Sequence, residues 1–192
     1  FSTAYIEACH RTAEYFVQPV GAVLANQIPK LILANAEKLP PLPTFRRQEH
    51  HAVSVLQEPF EERMQVLKRH IRERFARGES VLLLEPTIAD IEMAQPLFEK
   101  GIEQYTFVLH GSLPDREVVR TWQKAMKSEH PLLVIATSYF CALPLAKLGC
   151  IIVDHEHATA YKTIGRPSFD ERVFTRFYAE TAGVDLIYTD TL

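Results

Sequence analysis

The densest concentration of reactive side chains in the sequence is Asp154-His155-Glu156-His157. It follows directly on the apolar run Cys150-Ile151-Ile152-Val153. A strand of that kind delivers its acidic residue to the carboxyl edge of a sheet, where open α/β folds place their ligands. A carboxylate there could hold a divalent cation, and a histidine could exchange a proton near neutral pH. No zinc site is expected. His155 and His157 are two apart, which points them to opposite faces of an extended chain, and HExxH spacing is missing. His157 is expected to make a structural hydrogen bond instead.

Other chemistry-bearing residues have a plainer reading beside the functional one. Lys68-Arg69-His70-Ile71-Arg72-Glu73-Arg74, with Arg77, could grip phosphates. The apolar partners of this run fall at helical spacing, so a solvated helix face is preferred, and late cations suit the helix dipole. Tyr161, Lys162, Phe169 and Arg172 combine rings and cations, the parts of a single-strand binder. Equally, Phe169 could staple a helix start and Arg172 could face solvent. His110, at a strand end, reads more simply as a turn or core histidine than as a ligand. Cys9, Cys141 and Cys150 are odd in number and form no CxxC pair, which suits reduced thiols in a cytoplasmic protein. Cys141 and Cys150 lie in apolar surroundings and are expected to be inert.

The elements that must position these residues are legible as an alternation. Val81–Leu84, Tyr105–Leu109, Leu132–Ala136, Cys150–Val153 and Val184–Tyr188 are short apolar runs of the kind needed by strands buried on both faces. Helical patterns separate most of them. Met64, Leu67, Ile71 and Phe75 form one stripe before Gly78. Asp90–Lys100 and Pro114–Ser128 form two more helices, and Ser168 with Glu171 has capping-box spacing for a fourth, closed by Gly183. The expected fold is α/β, a parallel sheet with helices on both faces. Residues 1–38 read as a small helical segment, with Ile6, Cys9, Ala13 and Phe16 in register and a second helix from Gly21 to Ile28 stopped by Pro29. Some forty residues bury little alone, so this piece should dock on a neighbour. Residues 39–45, containing Leu39-Pro40-Pro41-Leu42-Pro43, read as an extended linker, and 46–192 as the sheet domain.

Composition bounds the function. The 192 residues are 47% hydrophobic and 23% charged, a globular balance that excludes wholesale disorder. A net charge of -3 means that any nucleic-acid contact must be local. The longest uncharged run, Pro131–Ala146, is 16 residues and contains Pro144, too short and broken to cross a bilayer. No secretory pattern opens the chain, and Phe rather than Met at position 1 suggests a trimmed or partial sequence.

Several stretches together resemble the primosomal, PriA-type family of DEAH-like superfamily 2 replication-restart helicases. Asp154-His155-Glu156-His157 resembles motif II, which reads DEEH in that family. Val81–Pro86 followed by Thr87-Ile88-Ala89 is similar to the strand and DNA-facing motif Ia. Leu109-His110-Gly111-Ser112-Leu113, Arg116 and Trp122 resemble a further stretch, as do Val134-Ile135-Ala136-Thr137 and Leu148-Gly149. Tyr161-Lys162, Pro167, Phe169 and Arg172 resemble the aromatic-rich segment that senses single-stranded DNA. Residues 13–24 are similar to the region preceding the helicase lobes. The resemblance implies a RecA-like first lobe, with Pro86, Thr87, His110, Tyr161, Lys162, Phe169 and Arg172 facing DNA.

The departures imply a loss. Where the family has its P-loop, this chain reads Gln57-Glu58-Pro59-Phe60-Glu61-Glu62-Arg63-Met64. A P-loop needs glycines so that backbone N–H groups can wrap phosphates, a lysine, and a hydroxyl for Mg²⁺. Here no glycine is present, Arg63 replaces the lysine and Met64 the hydroxyl, while Glu61 and Glu62 join Glu58 near a helix start. One unit-charge repulsion at about 5 Å with effective dielectric 20 costs roughly 3 kcal/mol before screening. The helix end offers an anion only about 0.3–1 kcal/mol. At motif II, Asp154 persists but His155 replaces the water-activating glutamate. Thr189-Asp190-Thr191 stands where the family has SAT, and Ser138 where it has arginine. The expectation is an ATPase-deficient module with no cofactor, to which ATP and Mg²⁺ do not bind well, and with no metal site. It would bind single-stranded or forked DNA, or dock replication and repair proteins, and not membranes. The alternatives are a divergent fragment of an active ATP-dependent helicase, or a structural interaction domain without DNA affinity.

Overall fold

The computed structural model describes residues 1–43, 51–163, 165 and 168–191. Six strands form one sheet: β1 (Val53–Gln57), β2 (Ser80–Leu84), β3 (Thr106–Leu109), β4 (Leu133–Ala136), β5 (Leu148–Val153) and β6 (Asp185–Asp190). Their spatial order is β1-β6-β5-β2-β4-β3, and every pairing is parallel. Parallel strands need crossovers, which α4 (Phe60–Ala76), α5 (Ile88–Phe98), α6 (Asp115–Lys127) and α7 (Glu171–Ala182) supply.

Both faces of the central strands are covered, which is why their sequences are apolar without interruption. On one face Leu67 and Ile71 of α4 and Ile91 and Phe98 of α5 pack on Val81, Leu83, Ile135 and Ile152. On the other, Trp122 of α6 and Phe174 of α7 join Leu82, Leu84, Val134 and Val153. Alternate residues of one strand therefore serve opposite cores.

The front segment is α1 (Thr3–Tyr15), α2 (Val20–Gln27) and α3 (Lys30–Ala34), with α1 capped by the Ser2 hydroxyl accepting from the Tyr5 N–H. It docks as expected, along α7. Tyr5 is buried edge-on against Phe174 and Tyr178 at centroid separations of 5.4 and 5.3 Å. Its hydroxyl donates to the Gln27 carbonyl at 2.9 Å, and Gln27 Nε2 donates to Glu171 Oε2 at 2.6 Å. Residues 39–43 of the proline-rich stretch carry no regular structure, and 44–45 lie outside the described residues.

Three sequence expectations need correction. Strand β1 was not anticipated, because it is an edge strand with Val53 and Val55 exposed and offers no apolar run. Helix α3 was also missed; it is five residues long and starts behind Pro29. The cap of α7 is Asp170 rather than Ser168. Its carboxylate accepts from the Arg172 N–H at 3.0 Å, while Glu171 turns inward to Gln27 instead of closing a capping box.

Candidate functional site

Four strands end at one place. The carboxyl ends of β1, β6, β5 and β2 are adjacent in the sheet, and each contributes a polar residue or the start of a helix there. Strand β5 releases Asp154, 2% exposed. Strand β6 places Thr189 beside it, and the Thr189 hydroxyl donates to Asp154 Oδ1. Strand β2 releases Glu85, 1% exposed. Beyond β1 the chain turns through Glu58 and Pro59 into α4, whose first turn carries Glu61 and Glu62 on the exposed side and Arg63 on the buried side.

Arg63 lies at the centre of the cluster and is fully buried. Its Nη1 donates to Asp154 Oδ1 at 2.6 Å and its Nη2 to His155 Nε2 at 3.1 Å, with the Phe60 ring 5.9 Å from the guanidinium. A guanidinium only donates, so His155 Nε2 is the acceptor and the imidazole proton sits on Nδ1. That nitrogen faces Glu85 Oε2 at 3.7 Å and Asp154 Oδ2 at 3.8 Å, contacts of charge rather than hydrogen bonds. His155 reaches this position with φ at 49°, a left-handed conformation uncommon for residues with a Cβ but more accessible to histidine than to most.

Neither carboxyl oxygen of Glu85 has a hydrogen-bond partner among the described residues. Burial pushes the Glu85 carboxyl up to about 7. Glu85 in turn lifts His155 above its ordinary value, against desolvation and the Arg63 charge. Tyr161 closes the floor: its hydroxyl meets the carbonyl oxygens of Leu84 at 2.9 Å and Asp154 at 2.7 Å.

Donor atoms of Glu85, Asp154 and His155 lie within 4.8 Å of one another, close enough for one divalent cation. The set does not suit one. Asp154 Oδ1 is already held by Arg63 and Thr189, the neighbouring guanidinium repels a second positive charge, and the His155 nitrogen on that side carries the proton.

The predicted DNA-facing residues separate into two groups. Thr87 is exposed at the start of α5, where its hydroxyl accepts from the Asp90 N–H at 3.2 Å and donates to Asp90 Oδ2 at 2.6 Å. Pro86 and His110 are half-buried on the same carboxyl rim, and Lys162 is exposed. Tyr161 and Phe169 are buried instead, at 1% and 3% exposure, and offer no ring face to a base. The aromatic residue type suits a core as well as a stack, and here the core holds both rings. Arg172 is bound to Asp170 and Glu156, so its charge is already matched. Pro167 lies outside the described residues. Met64 packs against the α4–α5 core and Ser138 opens a short turn after β4. His157 bonds Asp190 at 2.8 Å, the structural role expected of it.

Sequence reasoning missed Glu85 and the inward turn of Arg63. The available signal for the first was an acidic residue closing four consecutive apolar positions of β2.

A single parallel sheet, helix-covered on both faces, with its polar cluster where the strands end, is a RecA-like α/β fold. Solved structures with this fold include domain 2 of a DEAD-box helicase bound to an RNA duplex, with TM-score 0.51, 10% identity and 73% of this chain against 54% of that one. The C-terminal domain of another DEAD-box protein matches with TM-score 0.50 and 12% identity over 74% of this chain and 77% of its own. No protein-family profile matches the chain. Its sequence relatives are more specific: the chain is a PriA-like helicase lobe, homologous to one part of the replication restart protein PriA. It is 33% identical to the Chlamydia trachomatis protein over 147 residues, covering 68% of this chain and 19% of the relative. It is 36% identical to the Chlamydia pneumoniae protein over 104 residues, 54% of this chain and 14% of the relative. With the Synechocystis protein the match is 28% over 173 residues, 90% of this chain and 20% of the relative. The chain thus spans about a fifth or less of these three relatives.

Proposed function

We propose that this lobe takes part in replication restart without hydrolysing ATP, its nucleotide pocket closed by its own arginine, and that it serves as a DNA-facing or protein-docking module. The observation that carries this reading is the Arg63–Asp154 pair, with side chains 0% and 3% exposed. A phosphate-binding loop presents backbone N–H groups and an open cationic side chain. The corresponding turn here has no glycine, holds two exposed glutamates, and turns its one cation into the sheet. Breaking a buried ion pair costs about 3–5 kcal/mol. Nucleotide would have to supply that much before gaining anything from Asp154.

Calorimetric titration of the chain with Mg-ATP is the direct test. No heat of binding up to millimolar nucleotide is expected, and micromolar affinity would sink the proposal. ATPase activity stimulated by single-stranded DNA, measured on a longer chain containing this segment, would favour the active-helicase alternative.

A further inference from the structure

Outside the buried cluster, the most unusual charge arrangement lies on α6. We propose that the exposed ridge Arg116, Arg120, Lys124 and Lys127 is a phosphate-backbone track for single-stranded nucleic acid, separate from the carboxyl rim of the sheet. The choice of ligand rests on the replication-restart reading, while the track itself rests on the helix.

All four residues are exposed. At about 100° per residue, they fall within about an 80° arc opposite Val118, Trp122 and Ala125, the side that packs on the sheet. The outermost line of the helix is therefore wholly cationic. Its carboxylates, Asp115 and Glu117, are confined to the first turn, where they suit the helix dipole. Among the described residues, none of the four cations makes an ion pair, and the three that are four apart form two like-charge neighbours, Arg116–Arg120 and Arg120–Lys124. Such neighbours weaken a helix.

Elsewhere the molecule pairs some exposed helix cations, although Lys68 and Arg72 of α4 are also like-charge neighbours without an ion pair among the described residues. On α4, Arg69 is followed four residues later by Glu73, 3.9 Å away, and on α7 Arg176 is matched by Glu180 at 3.1 Å. On α6 the neighbouring acids are Asp115 and Glu117 of the first turn, and neither forms an ion pair with the ridge among the described residues. A face without such pairs leaves its cations free to meet an external counter-charge.

Spacing favours phosphate as that counter-charge. Residues four apart advance about 6 Å along the helix axis, comparable with neighbouring phosphates along one strand. The track also has an entrance. Helix α6 begins directly after the His110–Leu113 turn at the carboxyl end of β3, so the ridge runs from the rim down the flank of the lobe. Lys38 of the front segment lines the same shallow groove as Arg116 and Arg120, together with Asp115, so three cations face one carboxylate there. An acidic protein segment would need the same sign of charge without the regular interval.

Fluorescence anisotropy of the whole chain with labelled oligothymidylate, across a salt series, tests the track. Substituting Arg116→Glu, Arg120→Glu and Lys124→Glu together should weaken binding at least about tenfold at low salt. It should also make the slope of log affinity against log salt shallower by roughly 2, at about 0.7 per single-strand phosphate. The neutral set Arg116→Gln, Arg120→Gln, Lys124→Gln should weaken binding in the same direction while melting no lower than the parent, since it removes like-charge neighbours. Lys68→Glu with Arg72→Glu on α4 should leave affinity unchanged. Parent-like affinity and slope in both α6 variants would overturn the track, as would absent binding by the parent or preferential, α6-dependent capture of polyglutamate. Mg-ATP binding would overturn the closed-pocket reading alone and leave this result standing.

Discussion

Arg63 and Asp154 show how the direction of one side chain changes the meaning of its neighbours. A cation at this point of a helix start is ordinary; folded inward onto a strand-end carboxylate, it becomes half of a buried ion pair. Because both side chains are buried, each is needed to keep the other from being an uncompensated charge. Arg63→Ala should therefore destabilise the lobe by about 3–5 kcal/mol in urea unfolding. The paired change Arg63→Met with Asp154→Leu should lose less than Arg63→Ala, since apolar groups of similar volume remove both desolvation penalties. Equal losses for the single and paired variants would mean that Thr189 and the His155 N–H, which also bond Asp154, dominate instead. Opening the pocket in this way should not produce Mg-ATP binding, because the glycines that wrap phosphate would still be missing.

At the scale of elements, the front segment is joined to the lobe by its core rather than tethered to it. Tyr5 contacts Phe174 and Tyr178 of α7, and through Gln27 the segment reaches the buried Glu171. Tyr5→Ala should cost about 3–5 kcal/mol, as truncating a buried aromatic does, and a single unfolding transition of the sheet should shift with it. A sheet transition left in place would mean that the segment folds apart from the lobe. The elements legible in the sequence were those whose burial leaves a periodic mark. The central strands and the half-buried edge strand β3 are apolar runs, and α4, α5, α6 and α7 show their stripes. Edge strand β1 leaves no such mark, because exposure removes the demand for apolar residues. The site was legible in position but not in orientation. Asp154, His155 and Arg63 could be placed by their neighbours in sequence, yet nothing local says that Arg63 turns inward. Tyr161 and Phe169 were read toward DNA for the same reason: residue type gives the chemistry of a ring, and only packing gives the direction it faces.

For the molecule as a whole, the buried acids set a pH dependence that opposes the usual one. Burial lifts both Glu85 and Glu171 from 4.5 to about 7, so between these values the folded chain binds more protons than the unfolded one. Stability then falls as pH rises through this window, by at most on the order of 3 kcal/mol per group. His155, also raised, acts in the same direction. On the acid side the sign reverses. Burial raises the carboxyls of Asp170, Glu180 and Asp190, but the hydrogen bonds they accept and their cationic partners outweigh it and hold all three below their ordinary values. The stability these three contribute is lost as pH falls through their folded values. Between the two limbs the optimum should lie near pH 5, where the buried glutamates are protonated and the paired carboxylates remain ionised. Urea midpoints should rise as pH is lowered from 8 to 5 and decline again below 4. Glu85→Gln with Glu171→Gln should flatten the limb between pH 5 and 8 while leaving the acid limb in place. A parent profile already flat between pH 5 and 8 would mean that water reaches both carboxyls and that the cluster under Arg63 is not closed.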